Sequence, residues 1–115
     1  MLSFVGPVDG PVSKGDSVMS MYMLLCNYTD QGVRTIKEMP SRRAAAREKA
    51  KKLGVEVKDA WLALGAYDFI LQMEARDEET VAKYVLSLAA MGNLRTTTLR
   101  LFSDADYEKI VGGMV

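Results

Sequence analysis

The order in which the hydrophobic period changes along this chain limits its fold more than any other feature. Met21 to Tyr28 is short, apolar and aromatic-flanked, the mark of a buried first strand. Thr29-Asp30-Gln31-Gly32 breaks the run, with Thr29 or Asp30 able to cap a following helical turn. Val33, Ile36 and Met39 stand at three-residue spacing and predict a short helix, which Pro40 interrupts because proline has no amide to donate. Ser41 to Leu53 is built of alanines and long charged residues, all strong helix formers. Ala46, Ala50 and Leu53 share one face of it, and Gly54 stops it.

The pattern then turns to strands. Val55 to Leu64 alternates imperfectly, Tyr67 to Ala75 more cleanly, and Gly65-Ala66 between them predicts a hairpin. Asp77 caps a helix from Glu78 to Met91, whose Val81, Tyr84, Val85 and Leu88 fall at i, i+3, i+4, i+7. Arg95 to Phe102, rich in threonine and leucine, reads as a fourth strand. Ser103 and Asp106 fit the start of a last short helix, Asp104 to Val111. The order βαββαβ predicts an α+β, ferredoxin-like sandwich, one antiparallel sheet with two helices on one face, and an extra C-terminal helix.

Helices can cover only one face of such a sheet, yet both faces carry apolar residues. In the first strand Met23 and Leu25 point one way, Tyr22, Leu24 and Cys26 the other. In the third, Tyr67, Phe69, Leu71 and Met73 share a face, and Ile70 interrupts the polar set Asp68, Gln72 and Glu74 opposite. Soluble monomers rarely expose a large apolar patch. The expectation is therefore a homodimer or higher homo-oligomer with sheets packed face to face, as in a dimeric α+β-barrel. A deep pocket between sheet and helices is the competing explanation.

Composition narrows the chemistry. The chain has no histidine, which removes Ser-His-Asp and Cys-His catalysis and imidazole metal sites together. Its single cysteine, Cys26, lies in an apolar run and reads as a buried, inert thiol. No cofactor and no metal are expected, although carboxylate ligation of a hard cation stays open. Fifteen basic residues balance fifteen acidic ones, so no net charge draws the chain to nucleic acid or an anionic membrane. Six basic residues and one acidic, Glu48, lie between Arg42 and Lys52. This is a solvated helix face or an anion-binding surface; without interleaved aromatics it is a poor nucleic-acid surface. No stretch approaches 18 consecutive apolar residues, so no membrane span is expected. Residues 1–20, with Gly6, Pro7, Gly10, Pro11 and Gly15 and neither a basic nor an apolar signal region, read as a flexible leader before a domain at 21–115. A cytoplasmic location follows as the default.

Three segments carry a resemblance. Asn27 to Arg34, Leu64 to Phe69 with Gly65-Ala66-Tyr67-Asp68, and Gly92 to Leu99 resemble, in order, the recurring blocks of the GYD-domain family of small, mostly uncharacterised proteins. The resemblance covers about residues 21 to 111. It implies a ferredoxin-like fold and no established reaction.

Within these blocks the residues able to line a ligand site are Tyr67, Asp68, Asn93, Arg95, Thr97 and Arg34. Asp68 is either an acceptor for backbone amides near the turn or a free carboxylate. Asn93 is either a helix C-cap or a site amide. Arg95 beside threonine hydroxyls can hold a carboxylate or phosphate, or pair with Asp68. Arg34 could converge with Tyr28 on the same end of the sheet. These residues suit a homo-oligomeric binding or regulatory module for a small anionic metabolite. The alternative is a cofactor-independent enzyme of the dimeric α+β-barrel type, akin to a small monooxygenase, which would use Trp61, Tyr67, Asn93 and Arg95.

Overall fold

The structure, a computed structural model, describes residues 18–115. Most of the expected leader lies outside the described residues. The elements run β1 (Ser20–Tyr28), α1 (Asp30–Arg34), a 3-10 turn (Ile36–Glu38), α2 (Met39–Leu53), β2 (Glu56–Leu62), β3 (Phe69–Ala75), α3 (Glu78–Ala90), β4 (Leu94–Leu101) and α4 (Asp104–Gly112). The four strands form one sheet in the order β2-β3-β1-β4. All three pairings are antiparallel. This is the ferredoxin-like arrangement expected from the element order.

The two helices of the sandwich lie over one face. Tyr22, Leu24 and Cys26 of β1, Phe69, Met73 and Ala75 of β3, Val81, Tyr84 and Leu88 of α3, and Ala50 of α2 make a buried core between them. The alternation of β1 sends Met21, Met23 and Leu25 to the opposite face. There Leu25 stands opposite Ile70 and Thr97, and Met23 opposite Gln72 and Leu99. Trp61 joins this face beside Ile70. No helix among the described residues is long and apolar enough to cross a membrane.

Two departures from simple periodicity have local causes. β2 alternates imperfectly because its register shifts between Val57 and Asp59. The bulge brings Val57 and Ala60, three apart in sequence, onto the helix side of the sheet, opposite Met73 and Leu71. Pro40 does not break a helix but starts one. It sits in the first turn of α2, where the missing amide would have had no partner in any case. The short helix expected through Met39 accordingly ends at Arg34 and passes through a 3-10 turn.

The helix ends are built as the sequence suggested. Thr29, Asp77 and Ser103 each accept a backbone N–H with the side chain at the start of α1, α3 and α4. Gly54 closes α2 at φ 86°, a conformation that favours glycine.

Candidate functional site

The three sequence blocks meet at the end of β1. The meeting point is the Tyr28–Thr29 step. From the hairpin side, Asp68 accepts the Tyr28 N–H on its Oδ2 at 2.8 Å. Its own N–H donates to the Cys26 carbonyl at 2.8 Å. Asn27 reaches the same hairpin by donating its side-chain amide to the Ala66 carbonyl at 2.9 Å.

From the other side comes the α3–β4 turn. The Thr29 N–H donates to the Asn93 carbonyl at 3.0 Å, and the Thr29 hydroxyl donates to the Gly92 carbonyl at 2.7 Å. That same hydroxyl accepts the Gly32 N–H at 3.0 Å, capping α1. Gln31 donates to the Asn93 side-chain oxygen at 3.0 Å. The packing leaves no room at Gly32. A Cβ there would stand 2.2 Å from the Asn93 carbonyl oxygen, well inside contact distance. Gly92, at φ 84°, makes the turn itself.

The six expected site residues therefore divide. Asp68 and Asn93 come together on either side of β1, and both are engaged in holding loops to it. Asp68 forms no ion pair with Arg95, and the left-handed position after α3 belongs to Gly92 rather than Asn93. Arg95 and Thr97 stand on the open face of the sheet, opposite Asn27 and Leu25, with exposed side chains. Arg34 ends α1 and is exposed. Tyr67 is half-buried in the hairpin. The structure thus does not gather the six around one cavity.

Sequence reasoning missed four participants: Asn27, Gln31, Gly32 and Arg42. The first three lie inside the first block, which was the available signal. Arg42 had none. Its guanidinium donates to the Thr35 carbonyl at 2.9 Å, the Thr35 hydroxyl at 2.7 Å and the Gly32 carbonyl at 3.1 Å, so α2 ties down the carbonyls at the end of α1.

A cavity of about 60 Å³ opens on the helix side, beside this knot. Phe69, Leu71, Leu88 and Leu94 are among its walls; Arg42, Arg43 and Arg47 of α2 stand at it, with Asn93 at one end. The Arg43 guanidinium carbon lies 5.8 Å from the centre of the Phe69 ring, a cation–π distance. Tyr84 donates its hydroxyl to the Ala46 carbonyl at 3.3 Å across the cavity's edge, and burial raises its pKa.

The Cys26 thiol is wholly buried, and burial pushes its pKa up to about 12. It is thus neither a nucleophile nor a ligand at neutral pH. No three Cys, Asp or Glu side chains among the described residues converge as a metal site would require.

Comparison with known proteins decides the family. A profile described as the GYD domain matches residues 22–111. The chain belongs to the GYD-domain family. This GYD-domain chain is 36% identical over 89 residues to a protein of Thermus thermophilus named glutamine synthetase and cystathionine beta-lyase binding protein, covering 76% of this chain and 94% of the relative. Among solved structures, it is similar to the crystal structure of MtbAldR, with a TM-score of 0.60 at 22% identity. That likeness covers 89% of this chain and 62% of MtbAldR, and it concerns the fold alone.

Proposed function

We propose that this GYD-domain protein is a non-catalytic binding and regulatory module that works as a homo-oligomer and responds to a small anionic metabolite. The observation that carries the reading is the open face of the sheet. Met23, Leu25, Ile70, Trp61 and Leu99 lie on the side away from the helices. Trp61 and Leu99 are 44% and 42% exposed, where a tryptophan would normally be sunk in a core or an interface. A second uncovered surface accompanies it. Tyr107, Ile110 and Val111 fall at helical spacing along α4, Met114 follows just beyond its end, all four are exposed, and α4 buries no residue.

A second copy is the natural cover. The patch is self-complementary in kind, apolar at its centre with Arg95 and Glu74 toward its margins, and a chain of zero net charge does not repel its own copies. Sheet-to-sheet packing then gives the dimeric α+β-barrel arrangement. The relative named for binding two enzymes supports a role in binding other proteins once assembled. Asp68 and Asn93, two of the residues able to line a catalytic site, instead hold loops to β1, which supports the binding reading.

Light scattering tests the reading. The chain is expected to run at a multiple of its 12.7 kDa mass at micromolar concentration, and Leu25→Lys combined with Leu99→Lys is expected to give a folded monomer. An unmodified chain that stays monomeric removes the proposal.

A further inference from the structure

The helix side of the sheet holds an unfilled space of its own, the cavity beneath α2. Its cause is in the helix sequence. α2 turns Ala46 toward the sheet at this point, a side chain of one carbon where a longer one would fill the space. The gap is left lined by Val57, Phe69, Leu71 and Leu88. At about 60 Å³ it admits about four water-sized groups, yet its apolar walls offer water no partners. Such a space suits a small hydrocarbon group.

The rim asks for a negative charge. Arg43 and Arg47 are four residues apart on α2, so they are neighbours on one side of the helix, and like charges in that relation repel. Arg43 is half-buried and lies over Phe69, and no carboxylate among the described residues forms an ion pair with it or with Arg47. Glu48, the one acidic residue of α2, pairs with neither. Arg42 differs, since its guanidinium is already engaged by Gly32 and Thr35. A planar guanidinium at the mouth of an apolar slot, stacked on an aromatic ring but without a carboxylate partner, is the complement of a carboxylate on a short hydrocarbon.

We propose that this cavity binds a small aliphatic monocarboxylate, the end of its short hydrocarbon body beneath α2 and its carboxylate between Arg43 and Arg47. The proposal rests on the small-anion part of the functional reading and is independent of self-association. It places the ligand on the opposite face of the sheet from Arg95 and Thr97. A phosphate would leave the apolar walls unused, and a long acyl chain exceeds the volume.

Calorimetric titration of the full chain with 3-methylbutanoate, 3-methylbutanamide and acetate tests it. The expected result is binding of 3-methylbutanoate with a dissociation constant at least about tenfold tighter than that of the amide or of acetate. Arg43→Gln is expected to weaken it by about tenfold, and Ala46→Leu, which fills the slot, to abolish it while the melting temperature is kept or raised. Arg95→Gln should leave it unchanged. Arg43→Gln lies at the rim, so it keeps the test decisive should Ala46→Leu fail to fold. Acetate binding as tightly as 3-methylbutanoate, or wild-type affinity in Arg43→Gln, overturns the proposal. Loss of binding in Arg95→Gln alone also overturns it, while leaving the small-anion reading standing. The absence of binding by either carboxylate also overturns it; inorganic phosphate, titrated in parallel, then decides the small-anion reading.

Discussion

Gly32 shows how little freedom the junction at the end of β1 has. Its missing side chain is filled by the Asn93 backbone, and a methyl group there has nowhere to go. Gly32→Ala is expected to lower stability by about 1–3 kcal/mol in denaturant unfolding, the cost of overpacking, although alanine is otherwise the better helix former. Asp68 has a structural duty at the same place. Asp68→Ala strands the half-buried Tyr28 amide and should cost about 1–3 kcal/mol. Asp68→Asn keeps an acceptor oxygen and should restore most of that; equal losses in the two variants would speak against the acceptor role. Cys26 carries a pH signature. Its folded pKa of about 12 lies above the unfolded value of about 8.5, so its contribution is whole below about pH 8.5 and is lost as pH rises toward 12. Stability should fall by up to about 1.4 kcal/mol per pH unit over that window. Burial raises Tyr22 and Tyr84 in the same direction at higher pH, so the share that disappears in Cys26→Ala is the thiol's. Of these roles, the burial of Cys26 and the backbone bond of Asp68 were legible in the sequence. The clash at Gly32 was not, because the atom that forbids a side chain belongs to a residue 61 positions away.

At the scale of elements, order and type followed from periodicity and caps. Each strand and long helix presents its own apolar face, and that signal is local. The exceptions are places where one element depends on another. The bulge in β2 exists because Val57 and Ala60 must both face the helices, opposite Met73 and Leu71 of a neighbouring strand. The corner between α1 and α2 exists because Arg42 reaches back over the Gly32 and Thr35 carbonyls. Nothing in the run of basic residues in α2 distinguishes Arg42, a structural clamp, from Arg43, which has no such bonds. The distinction is testable by stability alone. Arg42→Ala should lower it by about 1–3 kcal/mol, as expected for losing hydrogen bonds from a charged donor. Arg42→Lys should recover only part, since an ammonium cannot span the fork of acceptors. Arg43→Ala should change stability by less than about 0.5 kcal/mol. Equal effects at the two positions would contradict the division.

For the molecule as a whole, the decisive property is that one domain has two different unfinished surfaces. The helix side holds the slot under α2. The other side of the sheet has no cover among the described residues, and α4 adds a further apolar stripe. The excess of apolar residues on both strand faces was visible in β1 and β3 from alternation alone. Which residues of β2 joined the open face was not, because the bulge inverts the count. Trp61, the only tryptophan of the chain, lies on that face and reports directly on whether it is covered. Its fluorescence and acrylamide quenching should be followed on dilution from tens of micromolar to nanomolar, with the mass measured in parallel. A blue-shifted, quencher-protected Trp61 is expected in an oligomer, turning red-shifted and accessible as the mass falls to 12.7 kDa. A Trp61 equally accessible at every concentration, in a particle of monomer mass, would contradict it.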